Sequence, residues 1–420
     1  MSRVMRGRGR PLLSDYRWRI EMKRKILFVD DEPNVLQGLK RMLRGMRNEW
    51  DMVFAEGGEE AMRILEGDSF EVLVTDMRMP GMHGAELLKR VKNKYPEIVR
   101  IVLSGHSDQE LILKSVRTAH QYLSKPCDAE TLKNTVSRAC ALRALLKDET
   151  LKQVVSNIDT LPSLPRLYQE IMAELQSENA SIESIAKIIS GDVGMSAKIL
   201  QMVNSAFFAL PRHIESIAQA VNLLGLETIK ALVLSAQIFS QFENKGVSES
   251  FLEKLWSHCM GTAAFAKVIA KEEHLSREMA DDAFLAGMLH DVGKLILSTG
   301  LSDKYSAIVK RAGENGASLR EIEQEELGTT HGAVGAYLMG LWGFADNVVE
   351  AIAFHHTPDA CPAKTMGGLA AVHAANALEH ALGPEGMKME EASLDREFLD
   401  QAGVGEKVEQ WALACESAIE

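Results

Sequence analysis

The sequence predicts two domains of different class, an α/β domain with a doubly wound parallel sheet followed by an all-α domain. In the first third, four short apolar runs are continuous rather than alternating, as in buried parallel strands. They open the segments KILFVDDE, FEVLVTDMRMPGMHG, VRIVLSGHSD and HQYLSKP. From Leu161 onward, apolar residues recur at helical spacing and there is little strand signal. We therefore expect about ten or more helices in the second domain, at typical helix lengths.

The amino-acid composition and net charge exclude several classes of protein. The 420 residues are 46% apolar, which is ample for packed cores, and the net charge of −12 argues against a large nucleic-acid-binding face. The apolar stretches are too short to span a bilayer. Five widely spaced cysteines predict neither a disulfide framework nor a zinc site and fit a reducing cytoplasm.

Residues 1–22 form an Arg-rich arm that resembles no secretory signal, since it has no apolar h-region. We expect a disordered basic tail, because the arm cannot bury enough apolar surface to fold. Contact with phosphates or anionic lipid is the alternative. Met22 begins the segment MKRKILFVDDEP, so translation from Met22 rather than Met1 is also open.

Polar residues follow each predicted strand at the point where it ends. They are Asp30, Asp31, Asp76, Ser104 and Lys125. Because the carboxyl ends of parallel strands meet at one edge of a sheet, we expect these side chains to gather there. Three carboxylates placed together repel one another unless a divalent cation neutralises them, and Mg²⁺ prefers such oxygen ligands. A lysine and a hydroxyl beside them can hold phosphoryl oxygens, so the pattern predicts phosphoryl transfer to a carboxylate.

Residues 23–143 resemble the receiver domain of bacterial two-component response regulators, which has a flavodoxin-like fold. The acidic pair, DMRMPGMHG, LSGHSD and YLSKP carry the resemblance. It implies that Asp76 is the phosphoacceptor. It also implies that Mg²⁺ is bound by Asp30, Asp31, Asp76 and the backbone carbonyl of Met77.

The same resemblance assigns a phosphoryl contact to Lys125 and a switching role to Ser104 and Tyr122. Pro126 is expected in the cis form. The implied partner is a sensor histidine kinase, and receivers often dimerise on phosphorylation. A degenerate receiver that keeps the fold without phosphorylation is the alternative.

Residues 144–158 continue a helical period that no glycine or proline interrupts before Pro162. We expect the last receiver helix to run on as a helical linker, which transmits a shift better than a flexible segment. A plain spacer explains the pattern equally well. Further on, Ser181 is predicted to cap a helix, without a full capping box, because Ser184 stands where an acid or amide is expected.

Histidines and acids recur through the helical region in an order that favours a metal site. The candidate ligands are His258, His290, Asp291, His331, His355 and His356. Imidazole and carboxylate groups inside a helical bundle can bind Fe, Mn or Zn. A metal there can generate hydroxide for attack on a phosphodiester. A vestigial site, with these side chains hydrogen-bonded to one another, is the alternative.

Residues 159–420 resemble an HDOD domain, a relative of the HD superfamily of metal-dependent phosphohydrolases. The carrying segments are LPSLPRLYQEI, IISGDVGMSAKILQMVNSAFF, AVNLLGLETIKALVL, LWSHCM, GMLHDVGKLIL, HGAVGAYLMGLWGF and VVEAIAFHH. The HD ligands map onto His258, His290, Asp291 and a late aspartate, which is Asn376 here. Asparagine lacks the charge, and no Gly-Tyr-Pro loop follows the histidine pair. The resemblance therefore favours binding over hydrolysis.

Together these patterns predict a phosphorylation-controlled response regulator whose HDOD domain, of the all-α HD-related class, binds a downstream signalling protein. No DNA-binding motif is apparent. A phosphorylation-gated phosphohydrolase acting on a cyclic dinucleotide or another nucleotide is the alternative. A third interpretation is a phosphate sink with an inert second domain.

Overall fold

The protein is described here as a computed structural model. The structure describes residues 23–95, 97–104, 119, 121–125, 127–145, 165–175, 181–204, 208, 214–243, 247–315, 318–361, 364–382 and 394–418. The predicted basic arm, Pro126 and nearly all of the predicted linker lie outside these residues. The chain divides into two compact units, Met1–Ala144 and Leu145–Glu420.

The first unit is a five-stranded parallel sheet of order β2-β1-β3-β4-β5. Its strands are β1 (Arg24–Val29), β2 (Trp50–Ala55), β3 (Val72–Asp76), β4 (Val99–Ser104) and β5 (Gln121–Ser124). The described helices are α1 (Pro33–Met42), α2 (Gly58–Gly67), α3 (Gly84–Lys94) and α4 (Ala129–Leu145). This order is the flavodoxin-like, doubly wound arrangement, so the predicted fold class is confirmed.

The central strands are apolar because both faces of the sheet are covered. In β1, the four residues from Ile26 to Val29 are buried, and β3 is buried throughout. The continuous apolar runs of the sequence are therefore a consequence of burial on two sides. Their carboxyl ends meet at the edge of the sheet where the polar residues follow.

The second unit is all-α over its described residues. Its helices are α5 (Arg166–Leu175), α6 (Ile182–Ser190), α7 (Val193–Val203), α8 (Ile217–Leu224), α9 (Leu226–Ser240), α10 (Glu249–Glu272), α11 (Arg277–Leu289), α12 (Val292–Gly300), α13 (Ser302–Asn315), α14 (Leu319–Leu327), α15 (His331–Leu341), α16 (Asp346–Phe354), α17 (Gly368–Leu382), α18 (Arg396–Gln401) and α19 (Val408–Ser417). The predicted all-α class is confirmed. Within the described residues, none of these helices has the length and apolar character needed to cross a membrane.

The start of α6 corrects one detail of the sequence analysis. Ser181 is the N-cap, as predicted, and its hydroxyl accepts from the backbone nitrogen of Ser184 at 3.0 Å. The expectation that no full capping box forms was wrong. The hydroxyl of Ser184 accepts from the backbone nitrogen of Ser181 at 3.2 Å, so a serine completes the box in place of an acid or amide.

Helices α10, α11 and α17 pack against one another and form the centre of the second unit. Helix α15 packs on α12 and on α16, and α16 packs on α17. Helix α10 carries His258, and the turn between α11 and α12 carries His290 and Asp291. His331 begins α15, and the histidine pair follows α16. The packing thus brings every one of these positions to the middle of the bundle.

Candidate functional site

In the first unit, a lysine and two aspartates meet at the carboxyl edge of the sheet. Asp30 follows β1, Asp76 ends β3, and Lys125 follows β5. The ammonium of Lys125 donates to Oδ2 of Asp30 at 3.0 Å and contacts Oδ1 of Asp76. Partial burial lowers the pKa of Lys125, but the two carboxylates outweigh it and raise the pKa above its usual value. The structure therefore brings three of the predicted site residues into direct contact.

Backbone groups fix both carboxylates. The amide of Arg78 donates to Oδ2 of Asp76 at 2.6 Å, and the amide of Glu32 donates to Oδ1 of Asp30 at 2.9 Å. Gly84 allows α3 to approach Asp76 closely, because an added Cβ would lie 2.2 Å from the Asp76 carbonyl oxygen. The Met77 carbonyl accepts from the Gly84 amide at 3.0 Å. A carbonyl oxygen has two lone pairs, so this bond leaves capacity for a metal.

The remaining receiver positions are only partly described. Asp31 is half-buried and directly follows Asp30. The backbone of Ser104 pairs with Ser124 at the carboxyl end of β4, and that of Tyr122 pairs with Val102. The side chains of Ser104 and Tyr122 lie outside the described part of the structure, so their predicted switching roles stay predictions.

In the second unit, Asp291 lies between two groups of histidines. Its Oδ2 faces His258 and His290, with their Nε2 atoms at 3.7 and 3.5 Å. Its Oδ1 faces His331 and His355, with their Nε2 atoms at 3.2 and 3.8 Å. His356 joins the second group, because its Nε2 lies 3.1 Å from Nε2 of His331. One carboxylate therefore touches both halves of the predicted ligand set.

Hydrogen bonds to the outer ring nitrogens orient the histidines. Nδ1 of His290 lies 2.7 Å from the Gly287 carbonyl, and Nδ1 of His355 lies 2.8 Å from the Ile352 carbonyl. A carbonyl can only accept, so both Nδ1 atoms carry the proton. In a neutral ring the lone pair is then on Nε2, the nitrogen that faces Asp291. This is the tautomer a metal ligand needs.

Burial keeps most of these rings neutral. It lowers the pKa of His258 to about 4 and that of His290 to about 3. It also lowers the pKa values of His355 and His356 well below the usual value. His331 differs, because the charge of Glu323 outweighs the effect of burial and raises its pKa.

Asp291 itself is kept ionised. Burial alone would raise its pKa, but the Lys294 ammonium and the neighbouring histidines hold that pKa well below its usual range. The Lys294 ammonium donates to Oδ2 of Asp291 at 2.6 Å. A buried carboxylate therefore persists as an anion at the centre of the cluster.

The donor set fits a transition metal. Nε2 of His258 and Nε2 of His290 lie 3.1 Å apart, close enough for both to bind one cation when neither carries a proton. Nε2 of His355 is buried and has no hydrogen-bond partner in the described part of the chain. Ligand atoms of Asp291, His331, His355 and His356 lie within 4.8 Å of one another, as do those of His258, His290 and Asp291. Imidazoles with one carboxylate suit Fe, Mn or Zn.

Backbone contact sets the spacing of part of this cluster. Gly293 lies in the first turn of α12, two residues after Asp291. A Cβ added there would lie 1.9 Å from the carbonyl oxygen of His331. Helices α12 and α15 therefore touch backbone to backbone, directly beside the two residues that share the 3.2 Å contact.

Sequence reasoning missed four residues of this site. Lys294 contacts Asp291, and Glu323 contacts Nδ1 of His331. Glu379 contacts Nδ1 of His258. The ring of His380 stacks on that of His258, with centroids 4.5 Å apart. Asn376 is buried on the same helix, α17, beside His258. Glu379 and His380 follow Asn376 by about one helical turn. A helical projection of this segment therefore places all three residues on one face and could have indicated them as site candidates.

Comparison with known proteins defines the class of protein. Residues 26–137 match the family model of the response regulator receiver domain, and residues 161–358 match that of the HDOD domain. The chain therefore contains a receiver domain followed by an HDOD domain, in the order that the sequence resemblance predicts.

Three relatives illustrate the two halves. The chain is 24% identical over 226 residues to an uncharacterized protein of Treponema pallidum, covering 53% of this chain and 43% of that protein. It is 38% identical over 125 residues to the hydrogenase transcriptional regulatory protein HoxA of Cupriavidus necator, covering 29% and 25%. The chain thus spans less than half the length of these curated relatives. A crystal structure of an HDOD domain protein of unknown function from Geobacter sulfurreducens is 22% identical, with a TM-score of 0.48, and covers 69% of this chain and 98% of that one.

Proposed function

We propose that this chain is a cytoplasmic, phosphorylation-controlled response regulator that accepts a phosphoryl group on Asp76 from a sensor histidine kinase. The observation that carries the proposal is the contact of one lysine, Lys125, with both Asp30 and Asp76. Oδ2 of Asp76 accepts from a backbone amide, and Oδ1 faces the lysine. A carboxylate oxygen of Asp76 attacks phosphorus, and the bond from phosphorus to the donor nitrogen breaks.

Magnesium would be held by Asp30, Asp31, Asp76 and the Met77 carbonyl, and it would supply charge neutralisation to the phosphoryl oxygens. Lys125 would then move from the carboxylates to the phosphoryl group. Ser104 and Tyr122 follow as the switching residues. In this proposal the receiver domain is 23–143, the helical linker is 144–158 and the HDOD domain is 159–420.

The proposed output is binding of a partner signalling protein by the HDOD domain, with a metal held at the Asp291 cluster. Phosphorylation can shift this binding only if the partner distinguishes the two states. The replacement of the expected late aspartate by Asn376, and the missing Gly-Tyr-Pro loop, support binding rather than turnover.

A second candidate function is a metal-dependent phosphohydrolase. One buried carboxylate, Asp291, contacts two groups of histidines, and this favours it. A metal held by these side chains would supply Lewis-acid activation of water for hydrolysis of a phosphodiester. The side chains of the cluster would hold that metal and exclude bulk water.

Phosphotransfer tests the receiver half. The full chain is incubated with acetyl phosphate and Mg²⁺, and the acyl phosphate is measured by intact mass. We expect about one phosphoryl group per chain, lost in Asp76→Asn and on chelation of Mg²⁺. The control is Asp51→Asn, an exposed aspartate near the start of β2. Equal labelling of Asp76→Asn and the parent protein contradicts the assignment.

Metal content tests the HDOD half. The full chain is purified anaerobically and its Fe, Mn and Zn are quantified, in parallel with the double variant His290→Ala with Asp291→Ala. The control is His274→Asn, because His274 is an exposed histidine with a φ of 51° that asparagine tolerates. Metal lost only in the double variant supports the site. Turnover of cyclic dinucleotides by the loaded protein would favour the second candidate.

A further inference from the structure

Glu379 lies one helical turn after Asn376 on the same buried face of α17. Both side chains are nearly inaccessible, at 7% and 4% exposed. Oε2 of Glu379 contacts Nδ1 of His258. The chain therefore places a carboxylate beside His258 although the expected late aspartate is an asparagine.

This contact determines which ring nitrogen of His258 carries the proton. A carboxylate accepts, so Nδ1–H of His258 donates to Glu379 and leaves the lone pair on Nε2. Nε2 is the nitrogen 3.1 Å from Nε2 of His290. A carboxylate on the outer nitrogen also raises the basicity of the ring as a metal ligand.

The other half of the cluster repeats this arrangement. Glu323 is fully buried and accepts from Nδ1 of His331 at 2.7 Å, which directs Nε2 of His331 to Asp291. Two buried glutamates thus lie behind one ligand histidine each, Glu379 behind His258 and Glu323 behind His331.

We propose that Glu379 is a positioning residue that orients His258 as a metal ligand and supplies the negative charge that Asn376 lacks. The inference rests on the proposal that the HDOD domain binds metal. In this proposal the negative charge of Glu379 lies next to Nδ1 of His258, and Glu379 itself is not a metal ligand.

The alternative is a metal in the outer group of His258, Glu379 and His380, whose ligand atoms also lie within 4.8 Å of one another. That position would need Nδ1 of His258 as the ligand. It would make His380 as important for binding as Glu379. In the proposed role His380 only stacks on the ring and does not coordinate.

The test is titration of the metal-free full chain with Mn²⁺, followed by calorimetry and by the loss of free Mn²⁺ signal in electron paramagnetic resonance. His258→Ala and His331→Ala identify the binding events that belong to each half. We expect Glu379→Gln to weaken the His258-dependent event about 10- to 100-fold. The His331-dependent event should remain unchanged. Adding Asn376→Asp to Glu379→Gln should recover part of the lost affinity, which a purely structural role of Glu379 would not predict.

Glu323→Gln is the matched variant, and it should weaken only the His331-dependent event. Unchanged affinity in folded Glu379→Gln overturns the proposal, as does equal weakening of both events. An equal loss in His380→Ala overturns it in favour of the outer group. If the parent chain binds no Mn²⁺, Zn²⁺ or Fe²⁺, the proposed metal binding is wrong and the inference falls with it. That outcome differs from metal binding by the parent chain that Glu379→Gln leaves unchanged, which overturns the role of Glu379 alone.

Discussion

Glu323 holds His331 at two points, accepting from its backbone nitrogen at 2.9 Å and from its ring Nδ1 at 2.7 Å. A third bond comes from the hydroxyl of Tyr305 at 2.7 Å. The carboxylate is fully buried, and these three donors replace the water it loses. The start of α15 and the orientation of its first ring are therefore fixed by one side chain from α14.

Replacing Glu323 with alanine should destabilise the second unit strongly. The change leaves three buried donors without their acceptor, and loss of one partner from such a network costs about 3–5 kcal/mol. Urea unfolding of the metal-free chain, followed by hydrogen exchange in α15, measures the effect. Glu321→Ala, at an exposed position of the same helix, should change the unfolding free energy by less than about 0.5 kcal/mol. Similar losses in both variants would contradict the buried-network interpretation.

Replacing Lys125 with alanine should slow phosphorylation of Asp76. The ammonium is the only described side-chain cation in contact with both Asp30 and Asp76, and removal of one such group at a reacting centre costs about 10²-fold in rate. The initial rate of labelling by acetyl phosphate at saturating Mg²⁺ is the measurement. Lys89→Ala, an exposed lysine on α3, is the control. An unchanged rate would remove Lys125 from the phosphoryl site.

Gly84→Ala should disrupt the acidic edge of the receiver domain. The new Cβ would lie 2.2 Å from the carbonyl oxygen of Asp76, so α3 must move away and carry the loop with it. We expect faster hydrogen exchange in β3 and reduced labelling of Asp76. Gly38→Ala is the matched control, because nothing lies within 4 Å of its added Cβ in α1. That control should stabilise the chain by about 1 kcal/mol, and destabilisation by both would argue against a local clash.

Acidification should destabilise the metal-free second unit. The pKa of His290 is lowered to about 3, and those of His355 and His356 are also lowered, so the unfolded chain binds more protons below its own pKa of about 6.5. For His290 this lowers the unfolding free energy by about 2 kcal/mol between pH 7 and pH 5, and His355 and His356 act in the same direction. His331 acts in the opposite sense, since its pKa is raised, but the pKa values of His258 and His373 are lowered too, so the histidines that lose stability on acidification outnumber it.

Urea unfolding at pH 7 and pH 5 in the presence of a chelator measures this effect. The loss of stability should begin as the pH falls through about 6.5 and continue toward the lowered pKa values of the folded state. Bound metal should raise the stability at pH 7, and this gain should fall on acidification, because the metal binds only the neutral rings. Equal stability at the two pH values would show that these rings are not buried and neutral.

The receiver site could be predicted from the sequence because each of its residues directly follows a predicted strand. Asp30, Asp76 and Lys125 each follow a buried apolar run, so the topology alone predicts that they meet. The side chains of Ser104 and Tyr122 lie outside the described residues, and their predicted contribution is untested.

Only part of the HDOD cluster could be predicted from the sequence. His290 and Asp291 are adjacent in the chain, and the sequence places them in a set with His258. His258, however, contacts Glu379, which is 121 residues away. The helical period places Glu379 on the same face as Asn376 but does not show that this face meets His258. Glu323 likewise carries no motif. Such partners depend on how helices pack, and the helical period gives the buried face of a helix but not the helix it meets.

The contact of Gly293 with the carbonyl of His331 has a consequence for how this domain can vary. Distances fixed by side-chain packing drift whenever a neighbouring residue changes size. Here the gap between Asp291 and His331 is determined by two main chains that already touch. Substitutions around the cluster can therefore alter the chemical identity of its donors, as at Asn376, while the frame that holds them keeps its dimensions. A lineage could gain or lose metal chemistry in this domain through single side-chain changes, provided that position 293 stays glycine.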